Sequence, residues 1–148
     1  MTPEIRDALG RRIVKEEGER RLLNGNHALY RDSKNFVTIA HGYNIEVNGL
    51  PDDIARELFR RSLAGAEIDA EKVPGYAAAD SVRQSVVVAM VYQMGLHTVL
   101  SFKRFCIDMA AGAYGAAADE MLDSDWYRHD SPARAKRESD IMRIGAIL

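Results

Sequence analysis

The stretch Val82 to Met94 constrains this chain more than any other, because it is apolar around nearly the whole circumference of a helix. Such a helix must be enclosed by other elements. Val86-Val87-Val88 alone reads equally well as strand, but the length of the segment and a capping-box pair, Ser81 with Gln84, favour a helix that Gly95 ends. Its enclosure requires further helices, and the spacing predicts them at about 101–111, 115–123 and 132–144. The last starts at Ser131-Pro132 and stops at Gly145. With 148 residues and 47% apolar content the chain can build one sizeable core.

The N-terminal part has a different rhythm. Thr2 and Pro3 open a helix over 3–17 with Ile5, Leu9 and Ile13 on one stripe, and Gly18 stops it. From Leu29 to Val47 short extended pieces such as Phe36-Val37-Thr38-Ile39 alternate with turn residues, as in a small antiparallel sheet. Pro51-Asp52-Asp53 then begins a long helix toward Lys72, which Val73-Pro74-Gly75 breaks. Strands and helices are therefore segregated, and the expected class is α+β. In this reading residues 1–148 form one domain. A small lobe (about 12–60) is joined by the long helix (about 51–72) to a larger all-helical lobe (about 73–148 plus the N-terminal helix).

Twenty Lys and Arg against 22 Asp and Glu give a formal charge of −2, without the basic surplus of a nucleic-acid binder. The run Arg134-Ala135-Lys136-Arg137 lies in an acidic half and reads as a solvated or cleft-edge helix face. Cys106, the single cysteine, permits no internal disulfide and sits in an apolar setting, so it is expected to be a small buried hydrophobe. No secretory signal is visible after Met1, and Val86 to Tyr92 is too short to span a bilayer, so a cytoplasmic start without stable membrane association is expected.

Among the acids, Glu17 closes the first helix, where unpaired carbonyls disfavour the ionised carboxylate, as a general acid requires. The plainer reading is a solvated Glu beside Glu16 and Glu19. Glycoside cleavage uses two carboxyl groups, one protonated and one ionised, and Asp32 can be the second, though Asp before Ser33 is also an ordinary turn residue. His27, His41, His97 and His129 show no metal-ligand spacing, no phosphate-binding glycine loop is visible, and no metal or cofactor is expected.

Glu17-Gly18, Leu29-Tyr30-Arg31-Asp32 and Phe36-Val37-Thr38-Ile39 together resemble the active-site region of the phage lysozymes, the T-even type endolysins of glycoside hydrolase family 24. The blocks Val82-Arg83 through Gln93-Met94-Gly95 and Trp126-Tyr127 through Pro132-Ala133-Arg134-Ala135-Lys136-Arg137 continue the likeness in the same order. The resemblance implies a lysozyme-like fold and hydrolysis of peptidoglycan glycan strands with inversion. Glu17 would be the acid, Asp32 would stabilise positive charge or assist water, and Thr38 would position that water. Gln93, Trp126 and Arg134 would serve substrate binding, with ordinary core packing an equal reading of Trp126. The implied protein is a monomeric phage or prophage endolysin that reaches the wall from the cytoplasm once a holin-type protein opens the membrane.

Two departures stand out. Residues 19–28 form an extra polar loop, either a contact for the anionic wall or a tolerated surface insertion. In Thr38-Ile39-Ala40-His41-Gly42-Tyr43 the common pattern has Gly at Ala40 and His at Tyr43, and the usual His partner in the long helix corresponds to Ser62. His41 is expected to be structural. A lytic transglycosylase acting on the same bond, or an inactive wall-binding phage protein, are the competing readings.

Overall fold

The computed structural model describes residues 1–147, so the final residue of the expected helical lobe lies outside the described part. The chain falls into two compact units that divide at Ala55 and Arg56, inside one long helix.

In the first unit, α1 (Pro3–Glu17) begins as its sequence predicts. The Thr2 hydroxyl accepts from the Ile5 amide, Pro3 occupies the first turn, and the Gly18 amide closes the end on the Val14 carbonyl. No residue of α1 is buried, so the Ile5–Leu9–Ile13 stripe does not form a core. Three short strands follow, β1 (Tyr30–Arg31), β2 (Val37–Ile39) and β3 (Tyr43–Asn44), as an antiparallel meander in the order β1-β2-β3. Its register sets Tyr30 and Asn44 on either side of Thr38. Instead of continuing as strand, residues Ile45–Asn48 form a short helix, α2, because the Asn44 side chain accepts from the Val47 amide and starts a helical turn.

The second unit contains most of α3 (Asp52–Ala70) and the helices α4 (Ser81–Met94), α5 (Leu96–Ser101), α6 (Lys103–Ala110), α7 (Tyr114–Leu122) and α8 (Pro132–Ile144). As its composition demands, α4 buries Val86, Val87, Val88, Met90 and Val91. α8 packs on both α4 and α7, and α6 packs on α7. Phe105, Met109, Met121 and Met142 complete the interior. Each such side chain contributes about 1.5–3 kcal/mol by burial. Cys106 is buried as expected, and removal from water pushes its thiol pKa up.

The start of α4 differs from the expected capping box. Asp80 is the cap, accepting from the amides of Val82 and Arg83, while Gln84 reaches away to the Tyr76 carbonyl. Arg83 joins this end to the end of α8: its Nε donates to the Met142 carbonyl at 2.8 Å and its guanidinium lies 4.4 Å from the Tyr114 ring. Helix α5 and the π-helical turn Trp126–Asp130 were not legible as separate elements. Among the described residues no helix is long and apolar enough to cross a membrane.

Candidate functional site

Glu17, Asp32 and Thr38 line one cavity of about 530 Å³ in the first unit, together with Glu19, Tyr30 and Gly42. Each is positioned by local chemistry. Glu17 is the last residue of α1, and Gly18 turns the chain at φ 70° immediately after it. Asp32 organises the β1–β2 turn, its Oδ1 accepting from the amides of Lys34 and Phe36, both at 2.9 Å. The turn reading of Asp32 is therefore correct, and it leaves Oδ2 for the cavity. Thr38 stands in the central strand at 2% exposure, and its hydroxyl donates to the Phe36 carbonyl at 3.2 Å.

The turn after β2 contributes Gly42 to the lining. Ala40 has φ 54° and Gly42 φ 83°, both in the left-handed region. Ala40 thus occupies a backbone conformation suited to glycine, at a cost of about 1–2 kcal/mol. At Gly42 a Cβ would also stand 3.0 Å from the Glu17 Oε2, so a side chain there would displace the carboxylate. Absence of a side chain at 42 lets the backbone approach the Glu17 carboxylate.

Residues 19–28, unassigned in purpose by the sequence, fold as a compact hairpin. Arg21 and His27 pair as an antiparallel bridge, Leu22 donates to the Asn26 carbonyl at 2.8 Å, and Ala28 to that of Arg20 at 2.8 Å. Arg21 grips the Glu19 carboxylate through Nε and Nη2, at 2.8 and 2.7 Å, and this bidentate bond pulls the Glu19 pKa below its ordinary value. The His27 and His41 rings meet edge to face with centroids 5.1 Å apart. His41 lies beyond β2, in the turn that leads to β3. The expectation of no metal-ligand set meets a difference here: Glu19, His27 and His41 each bring a ligand atom to within 4.8 Å of the others. Linear spacing concealed this, because the hairpin and the β2–β3 turn create the proximity.

The other expected site residues belong to the second unit. Gln93 donates from Nε2 to the Ser131 Oγ at 2.7 Å and accepts at Oε1 from Arg134 Nη1 at 3.0 Å, so these two are joined. Trp126 is 2% exposed within the core and has no ring face to offer a sugar, which corrects its expected place in substrate binding. Arg134 also borders an open cavity of about 750 Å³ with Phe59, Tyr92, Arg137 and Glu138. Burial pushes the Glu138 pKa up, against the opposing pull of Arg137 and Arg134.

A meander bearing the acidic cavity, followed by a helical unit around one buried helix, defines a lysozyme-like α+β protein. No family model matches the chain. It is 31% identical over 94 residues, 61% of its length, to the probable T4-type lysozyme 1 of Dictyostelium discoideum. The match takes in 55% of that protein, so the chain spans about half the length of the curated relative it matches.

Proposed function

We propose that the chain hydrolyses the β-1,4 bond between N-acetylmuramic acid and N-acetylglucosamine in peptidoglycan. The observation that carries this reading is the shared cavity of Glu17, Asp32 and Thr38. Glu17 protonates the leaving glycosidic oxygen. Asp32, with Oδ1 committed to its turn, uses Oδ2 to stabilise positive charge on the sugar or to orient water. Since the Thr38 hydroxyl donates its proton to Phe36, its lone pairs accept a hydrogen from the attacking water and hold it in place. Inversion at the anomeric carbon follows from attack by that water.

In this reading Gln93 and Arg134, linked by their hydrogen bond within the second unit, are glycan-binding residues. Similarity to the probable T4-type lysozyme supports this substrate class. In the same reading the protein is a monomeric phage or prophage endolysin of glycoside hydrolase family 24, acting in the periplasm after the membrane is opened and lysing the host.

Mass spectrometry of products from purified peptidoglycan tests the reaction. Reducing muramic ends are expected, whereas anhydro ends would make the protein a lytic transglycosylase. Glu17→Gln should lose at least about a hundredfold in turnover, roughly 2.7 kcal/mol of barrier, while binding glycan. Glu16→Gln, an exposed residue paired with Arg12, should stay within about tenfold of the parent. The opposite result would reject Glu17 as the acid.

A further inference from the structure

We infer that the Glu19–His27–His41 cluster is a zinc site that staples the 19–28 hairpin to the turn following β2. The donor set is two imidazoles and one carboxylate, which suits Zn2+ with a fourth position left for water. Calcium and magnesium, which seek oxygen ligands, fit it poorly.

The distances suit a small cation. With metal–ligand bonds of about 2.0–2.2 Å, two ligands on one zinc ion stand about 3.4 Å apart in a tetrahedron and at most about 4.2 Å apart. His27 Nδ1 lies 4.0 Å from Glu19 Oε2, beyond hydrogen-bond reach and inside that limit. The full set, spread within 4.8 Å, needs closure of up to about 1.4 Å, which side-chain rotation supplies.

An independent observation points to a ligand. The His27 Nδ1 is buried without a hydrogen-bond partner, although buried polar atoms are otherwise almost always satisfied. A cation at the cluster centre would satisfy it. Arg21 contributes as an outer partner: it orients the Glu19 carboxylate, while each oxygen retains a lone pair for a metal. Its own charge opposes the cation and weakens the site.

The location explains the use of such a staple. Thr38 is the one buried residue among the 55 of the first unit, and units of this size with little core are commonly held by metals or disulfides. Disulfides are impossible here, because the lone cysteine is Cys106. One ligand, Glu19, lines the cavity two residues after Glu17, and another, His41, precedes Gly42, whose backbone abuts the Glu17 carboxylate. A bound ion would fix both sides of that wall. The inference concerns binding and stability, and holds whether or not the cavity cleaves glycan.

The test is titration of tag-free, metal-stripped protein with Zn2+ by calorimetry, paired with thermal melts. One ion per chain and a raised Tm are expected. His27→Gln, His41→Gln and the more exposed Glu19→Gln should each weaken binding at least about tenfold and lose the Tm rise, with circular dichroism showing that they fold. His97→Gln and His129→Gln should bind as the parent does. No saturable one-to-one binding, or binding that survives in a folded His27→Gln, His41→Gln double variant, would overturn the site.

Discussion

The two units of this molecule achieve order by opposite means. The second surrounds α4 with apolar side chains, burying Met90, Phe105, Met109, Met121 and Met142 almost completely. The first has one buried residue, Thr38, and relies on turns, caps and a hairpin whose hydrogen bonds are local. Apolar packing is therefore concentrated outside the unit that holds the candidate acids. The candidate acids occupy a frame fixed by polar contacts, where carboxylates remain accessible and little packing must be disrupted to place them.

The largest expected effect breaks the second unit. Gly75 has φ 80°, and a Cβ there would lie 2.1 Å from the Met109 carbonyl oxygen, a backbone atom that cannot swing aside. Gly75→Ala should destabilise by about 3–5 kcal/mol, read as a loss in chemical denaturation midpoint without a change in slope. A variant as stable as the parent would show that this unit tolerates strain as readily as the first.

Asp32 sharpens the contrast from the other side. Asp32→Asn retains Oδ1 as an acceptor for the Lys34 and Phe36 amides, so Tm should hardly move while turnover falls at least about a hundredfold, near 2.7 kcal/mol. Asp32→Ala should lose turnover and also about 1–2 kcal/mol of stability, because two amides lose their acceptor. Full activity in Asp32→Asn would remove Asp32 from the reaction and leave Glu17 alone.

A smaller gain is expected at Ala40. With φ 54° it carries a side chain where glycine is preferred, so Ala40→Gly should stabilise by about 1 kcal/mol, offset in part by glycine's greater freedom when unfolded. A thermal melt that falls instead would mean that the Ala40 methyl packs usefully.

The smallest effect concerns Glu138, whose folded-state pKa is raised by burial against Arg137 and Arg134. For a raised carboxyl, the associated stability is complete below the unfolded pKa of about 4.3 and is lost as pH rises through the folded value. Glu138→Gln should therefore match the parent near pH 4 and melt higher at pH 7. A constant difference between the two pH values would contradict the shift.

Much of the fold could be read from the chain because its signals are local. Thr2-Pro3 and Gly18 bound α1, Ser131-Pro132 and Gly145 bound α8, and the unbroken apolar character of α4 required burial. Where the reading failed, two local solutions competed. Asp80 displaced Ser81 as the cap because its carboxylate reaches two amides at once, and Asn44 turned a presumed strand into helix α2. Glu17, Asp32 and Thr38 were accessible through family resemblance, and physics alone left Asp32 equally a turn residue, which it also is.

Sequence by itself thus determined the segregation of a small sheet from a helical unit, since periodicity, caps and turn residues act over a few neighbours. Tertiary structure alone decided which distant groups meet. It gathered Glu17, Asp32 and Thr38 around one cavity, buried Trp126, joined Gln93 to Arg134, and brought Glu19, His27 and His41 within reach of one another. Those outcomes depend on hairpin register, on positive φ at Ala40 and Gly42, and on packing around α4, which set positions in space that spacing along the chain does not encode.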